Sequence, residues 1–332
     1  MFFIGISDKK SYLCTMQLNV ITRKSAIMAI LLLMAMLLAT AVRYTLAPFG
    51  AELANGVADG GVLSLVLAML ILLYSGIVEG KMLARAGLNG SYCTLPMPIY
   101  GVLACGVFVA PDLLATATAS LCFAMALHLL LRSLHNADEK DSVFFASMLL
   151  GATVLLYPPC VVLVAVLPIA IFTLALSLRQ SLIMAVGYLL PILVASYISW
   201  YGGEEFFHFG ESLFSSLLTP QMAPISEIPY VAIAILVATV AILLWGAIYA
   251  MVSRSQASIL TRVRRAIHFF LFVLLLSLTM SLIPACDLSA LAVIAVPATI
   301  LLSYVFEILP NNHSAIAYWV LLALFAIHLF VA

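Results

Sequence analysis

The sequence predicts an all-α, polytopic transmembrane helix bundle of about eleven spans with a cytoplasmic N-terminus. Three observations lead there. Of 332 residues, 65% are hydrophobic and 8% charged, and mean hydropathy is +1.23. A soluble domain carries about 25% charged residues, so this chain could not cover a water-facing surface. Second, its apolar runs are continuous and mostly about 17–21 residues long, which suits a helix crossing hydrocarbon. Hydrocarbon admits only helices and closed barrels, because every backbone polar group needs an internal partner. The dyad alternation of barrel strands is missing. Third, lysines and arginines fall on alternate connectors, as orientation by retained positive charge requires.

Residues 1–24 form a cytoplasmic lead-in, and residues 25–332 a single transmembrane domain. Met16-Gln17-Leu18-Asn19 reads as a more ordinary beginning than residues 1–15. The first span, 25–42, follows Arg23-Lys24 and ends near Ala39-Thr40-Ala41, like a signal peptide. Its length and the many later spans favour a retained helix. The next are 62–78 and 95–111, the latter carrying Pro96, Pro98 and two glycines. Then come 113–131, 143–157, which is short, 160–177 and 182–200. The last are 229–251, 267–284, 288–306 and 314–331. No connector is long enough for a soluble domain with its own core.

With the N-terminus inside, Lys9, Lys10, Arg23, Lys24, Lys81, Arg85, Arg132, Lys140, Arg179, Arg254, Arg262, Arg264 and Arg265 are cytoplasmic. Arg43 alone is external. A missed span would invert every later loop, so the pattern also checks the span count. Short loops make most sequence neighbours antiparallel neighbours in space. Pro111-Asp112 and Tyr157-Pro158-Pro159 read as tight external turns. Pro168, Pro191 and Pro297 lie within spans; each removes a helical hydrogen bond. Packing is the plainer reading of these prolines, and a broken helix lining a substrate site the sharper one.

An ionisable group at mid-membrane usually marks function. The sequence predicts none. Glu79 and Glu307 are expected at cytoplasmic helix ends, Asp112 and Asp287 at external ends, and His128, His268 and His328 within reach of headgroups. This counts against an ion-coupled transporter, though not against a carrier of greasy or lipid-linked molecules.

The external connector 201–228 holds Glu204, Glu205, Glu211 and Glu227 and no lysine or arginine. Phe206, Phe209, Leu213 and Leu217 recur in it at helical spacing, opposite a polar face. This predicts an amphipathic helix lying at the outer interface. Glu204, His208 and Glu211 are spaced to share one helical face, where they are candidates for acid–base or ligand-binding work. A solvated polar face explains them more simply, and no metal is assigned. Arg43, Glu52 and Asp59 in the first external loop are the candidate catalytic residues. Arg43 is otherwise a snorkelling helix-end base.

The six cysteines make no framework; Cys160 and Cys286 could pair near the external surface, with small packing residues as the plainer reading. The basic segment Arg254–Arg265 suits anionic headgroups. No phosphate-binding glycine loop, HExxH, paired CxxC or nucleophile elbow occurs, so no cofactor is expected. Zero formal net charge gives no nucleic-acid partner. Membrane lipids are the expected partners, joined by a membrane protein if the chain is a subunit.

Phe144-Phe145, Leu150-Gly151 and Leu155-Leu156-Tyr157-Pro158-Pro159 form one of three distinctive pieces. Ser177-Leu178-Arg179-Gln180-Ser181 and Gly187-Tyr188-Leu189-Leu190-Pro191 form the others. Together they resemble an uncharacterised family of bacterial multi-pass inner-membrane proteins. The resemblance implies a multi-pass inner-membrane architecture and no activity. In layout alone the chain also looks like membrane glycosyltransferases that use polyprenyl-phosphate sugars. Such enzymes place an essential acid in the first external loop, where Glu52 and Asp59 stand.

Three functions follow, in order of expectation. The first is a non-catalytic envelope scaffold or accessory subunit. The second is a transferase acting on a polyprenyl-phosphate-linked substrate at the external face, and the third a transporter or flippase of a lipidic molecule.

Overall fold

The computed structural model describes residues 26–46, 62–85, 95–105, 113–133, 140–206, 208–219, 230–252, 261–286, 290–309 and 311–331. Among these, every regular element is helical. The elements are α1 (Ala26–Leu46), α2 (Val62–Arg85), α3 (Pro96–Cys105), α4 (Leu113–Ser133) and α5 (Lys140–Leu156). A 3-10 stretch, Pro158–Ala165, runs on into α6 (Val166–Leu174). Then follow α7 (Leu178–Tyr201), α8 (His208–Leu218), α9 (Tyr230–Val252), α10 (Thr261–Thr279), α11 (Leu291–Ile308) and α12 (Asn311–Val331).

Every interval expected to span carries helix, but the finer span count is not reproduced. Six helices among the described residues are long and apolar enough to cross a membrane, fewer than the eleven expected. Ile27–Val42, Pro158–Leu174 and Ile233–Gly246 are apolar but shorter. Of the interval 95–111, the described helix is α3, and residues 106–111 lie outside the described residues. Residues 95–104 are all buried, so this part of the chain sits inside the bundle. The interval 160–177 is not a plain α-helix. Pro158-Pro159 set up the 3-10 stretch, and Ala175, at φ 55°, ends α6 in the left-handed region.

The bundle is organised around α11, which packs on α2, α3, α4, α9, α10 and α12. Its sequence explains this. Ala292, Ala295, Ala298, Thr299 and Ser303 are small, so several helices approach it closely, and all five are buried. A second body of packing runs α2–α4–α5–α7. The α5–α7 seam is built from the three distinctive sequence pieces. A Cβ on Gly151 would overlap the Tyr188 carbonyl and stand 2.9 Å from the Pro191 ring. A Cβ on Gly187 would overlap Ser147 Oγ and stand 2.7 Å from the Phe144 carbonyl. Only glycine lets these backbones come so near. The third piece starts α7. Ser177 Oγ accepts from the Gln180 N–H at 3.4 Å, and the Ser177 N–H donates to Gln180 Oε1 at 2.9 Å, a reciprocal capping box.

Candidate functional site

The interior is not free of ionisable groups. Glu79 was expected at a helix end, within reach of headgroups. Instead α2 continues to Arg85, and Glu79 is completely buried. The cause is the stripe on which it lies. Leu72, Ser75, Gly76, Glu79, Met82 and Leu83 share the inward face of α2 and are all buried, while Tyr74 and Lys81 point outward and are exposed. Two buried residues follow Glu79 in that stripe, so the chain encloses the carboxyl from its C-terminal side as well. His128 on α4 and His328 on α12 are also buried, against the expectation that they reach the surface.

Neighbouring helices press on α2 at this level. A Cβ on Gly76, one turn before Glu79, would meet Leu33 of α1 at 2.6 Å and Tyr100 of α3 at 3.5 Å. Thr299 on α11, a helix packed against α2, is also buried, and its hydroxyl donates to the Ala295 carbonyl at 2.6 Å. Ser303 Oγ likewise donates to the Thr299 carbonyl at 2.8 Å, and Ser75 Oγ to the Ile71 carbonyl at 3.0 Å. Among the described residues, no group meets hydrogen-bond geometry at either carboxyl oxygen of Glu79. The hydroxyls of Thr299, Ser303 and Ser75 thus donate to carbonyls of their own helices. An ionised carboxylate buried without a partner costs several kcal/mol, so the group needs a proton or a bound cation.

Farther along the same seam, Tyr100 Oη lies 3.0 Å from Ser120 Oγ, and Ser120 Oγ donates to the Ala292 carbonyl at 2.9 Å. This ties α3, α4 and α11 together by polar contacts. Between Ala292 and Thr299 comes Pro297, which cannot donate to the Val293 carbonyl. With Thr299 and Ser303 bonding back to the preceding turn, α11 is weakened as a rod beside Glu79.

The external cluster is assembled differently from its expected form. Helix α8 begins at His208, so Glu204 precedes it and does not share a helical face with His208 and Glu211. Gly203, at φ 98°, ends the preceding turn and redirects the chain. Glu204 Oε2 nevertheless lies 3.8 Å from His208 Nε2, with both side chains about half exposed, and accepts from Ser199 Oγ. Glu211 is exposed in the first turn of α8, where a carboxylate complements the helix dipole. The amphipathic pattern holds over 208–218. Phe209, Leu213 and Leu217 are half-buried against α7 and the 3-10 stretch, while Phe214 and Leu218 stay exposed. An open groove lined by Ala195, Ile198, Ser199, Gly202, Glu204 and Phe209 runs between α7 and α8.

Arg43 falls in the last turn of α1. Glu52 and Asp59 lie outside the described residues. Cys160 and Cys286 are buried and not joined in a disulfide, and Tyr157 Oη donates to Cys286 Sγ at 3.9 Å. Among the described residues no group of three histidine, cysteine or acidic side chains could hold a metal.

Residues 16–332 match the model of DUF6427, a family of unknown function. The chain belongs to that family. No curated protein and no solved structure matches it. The family carries no activity to transfer, so the chemistry of this member has to be read from its own side chains. The burial of Glu79 is what the sequence reading missed. A usable signal was present. Glu79 repeats the spacing of Leu72 and Ser75, and the apolar stripe resumes after it at Met82-Leu83.

Proposed function

We propose that this chain is a carrier of the bacterial inner membrane, with about eleven passes and a cytoplasmic N-terminus, whose working group is Glu79. Support for the orientation comes from the helix ends. Lys81 and Arg85 close α2, Arg132 closes α4, and Lys140, Arg179 and Arg262–Arg265 open α5, α7 and α10. In a bundle of alternating direction these ends share one side. The 3-10 stretch and α6 together reach roughly 30 Å, from rises of about 2.0 and 1.5 Å per residue. That suits one broken pass.

The observation that carries the carrier reading is the Glu79 carboxyl, fully buried and, among the described residues, without a hydrogen bond. A scaffold has no use for such a group, which weakens its membrane helix. A carrier uses it to take up and release a positive charge. The proline- and hydroxyl-bearing α11 beside it supplies an element able to bend, as in carriers whose broken helices meet the ion. The transferase reading rests on Glu52 and Asp59, and nothing in the described structure adds to it.

The test places wild type or Glu79→Gln as sole copy in cells lacking the protein, at equal membrane levels, and profiles small-solute pools. The variant is expected to reproduce the deletion. Pools identical to wild type would overturn the carrier.

A second reading, an accessory subunit of a membrane complex, is favoured by α7. Leu182, Val186, Leu189, Leu193 and Tyr197 make one exposed apolar face along its length. Mass spectrometry after gentle extraction in native lipid tests it. A stoichiometric protein partner supports the subunit, and bulk phospholipid alone leaves that face to lipid.

A further inference from the structure

We infer that the groove between α7 and α8 is a lipid site, which holds a phospholipid whose headgroup ends in a primary amine. The inference stands apart from the carrier reading and needs only that α7 faces lipid. The groove has a volume of about 450 Å³, within the range of small-ligand pockets. Its lining is of two kinds. Ala195, Ile198 and Phe209 are apolar, and Ser199 and Glu204 are polar. Along α7 the apolar pair Ala195 and Ile198 comes first, and Ser199 and Gly202 follow toward the helix end.

What leads into the groove says that its occupant is a lipid. Ile198 continues a row of exposed apolar side chains, Leu190 and Val194, each four residues from the next on α7. An acyl chain laid along that row ends at the groove. The depth agrees. Tyr197, Trp200 and Tyr201 are exposed at the end of α7, and the rings of Tyr197 and Trp200 lie 5.8 Å apart. Exposed tyrosine and tryptophan at a helix end mark the headgroup level. On α8, Phe214 and Leu218 are exposed one turn apart, as in a helix that dips an apolar edge into the interface. The groove therefore lies where headgroups meet acyl chains.

Charge complementarity selects the headgroup. Glu204 brings a carboxylate to the groove and accepts from Ser199 Oγ. His208 Nε2 is 3.8 Å from Glu204 Oε2, beyond hydrogen-bond length. A carboxylate has about four lone-pair sites, so Glu204 can still accept from a ligand. The groove also sits at the C-terminus of α7, where carbonyl dipoles leave partial negative charge. A basic side chain often answers such a helix end. The last turn of α7 has none, and no lysine or arginine occurs from residue 180 to residue 253. The chain thus leaves the cation to the ligand. A primary ammonium supplies the charge and donates hydrogen bonds as a lysine does. A quaternary ammonium cannot donate, and an anionic headgroup would be repelled.

The test is native mass spectrometry of the full chain, titrated with phosphatidylethanolamine, phosphatidylcholine and phosphatidylglycerol of identical acyl chains. Wild type is expected to hold phosphatidylethanolamine tighter than either other lipid by roughly two- to fivefold, the scale of an exposed ion pair. Glu204→Gln should bring it down to the level of phosphatidylcholine. Glu205→Gln, at an exposed position outside the groove lining, should keep the preference. Ala195→Trp, which fills the groove, should abolish it, and an excess of free ethanolamine should not displace the lipid. Equal binding of the three lipids by wild type, or a preference that survives Glu204→Gln, overturns the proposal. A loss in Glu205→Gln as large as in Glu204→Gln also overturns it, because the acidic loop and not the groove would then select the lipid. If free ethanolamine displaces the lipid, the site reads the amine alone and the lipid occupant falls. It falls as well if gentle extraction in native lipid brings down a protein that Glu204→Gln releases, since the groove is then a protein contact. Glu204 is about half exposed, so the deciding variant, Glu204→Gln, is expected to fold.

Discussion

Helices α7 and α11 are both long and apolar, with hydropathies of 2.0 and 2.1, yet 22% of the first is buried and 78% of the second. The difference lies in side-chain size. Helix α11 puts alanine, threonine and serine on all sides and is enclosed by six helices. Helix α7 places Gly187 in the seam with α5 and carries leucine, valine and tyrosine on most of its outer face. Hydrocarbon and protein core are equally apolar, so hydropathy does not separate an inward face from an outward one. Where helices meet is decided by which residues let backbones approach, and there the bundle admits polar groups.

If this comparison is right, truncating α11 should do the most damage. Leu302 is fully buried, and Leu302→Ala is expected to lower stability by about 2–5 kcal/mol. Unfolding in a denaturing-detergent titration measures it. A loss below about 1 kcal/mol would mean that α11 is loosely held, and its central place would be lost.

The same contrast explains what was legible in the sequence. The helical membrane class, the amphipathic pattern at 208–218 and a helix in each expected interval followed from composition and periodicity. The complete burial of residues 95–104 in α3 did not, because Pro96, Pro98 and the glycine weaken a helix without saying where it is buried. Burial of Glu79 escaped for a related reason. An acid next to Gly80 and Lys81 looks like the end of a span, and only the packing of α1, α3, α4 and α11 around α2 shows that it is not. The Glu204–His208 contact was legible as a pairing, although a turn at Gly203 replaces the shared helical face.

The inner line of α7 is the place where the comparison should invert. Gly187→Ala puts a methyl group against Ser147 and Phe144 of α5. It is expected to cost about 1–3 kcal/mol, as much as a truncation in many cores. Adding Ser147→Ala should recover part of the loss, because Ser147 Oγ is one obstacle, but not all of it, because the Phe144 carbonyl remains. Full recovery would show that the seam can spread. Next in size is the entry to α7. Ser177→Ala removes one side of the capping box and should cost about 1 kcal/mol, with hydrogen exchange faster over the first turn of α7 alone.

The smallest effect is expected on the outer face of α7, and it discriminates most. Val186 is 61% exposed and belongs to the stripe Leu182, Val186, Leu189, Leu193. Lipid fills the space left by a truncated side chain, whereas a docked protein surface leaves a cavity. Val186→Ala in nanodiscs should therefore change stability by no more than about 0.5 kcal/mol if lipid covers the stripe. A loss several times larger, appearing only in native membranes and disappearing after the protein is purified, would mean that another protein covers it there. Then α7 would be, like α11, a helix enclosed by others, and the contrast between them would describe the isolated chain and not the assembled one.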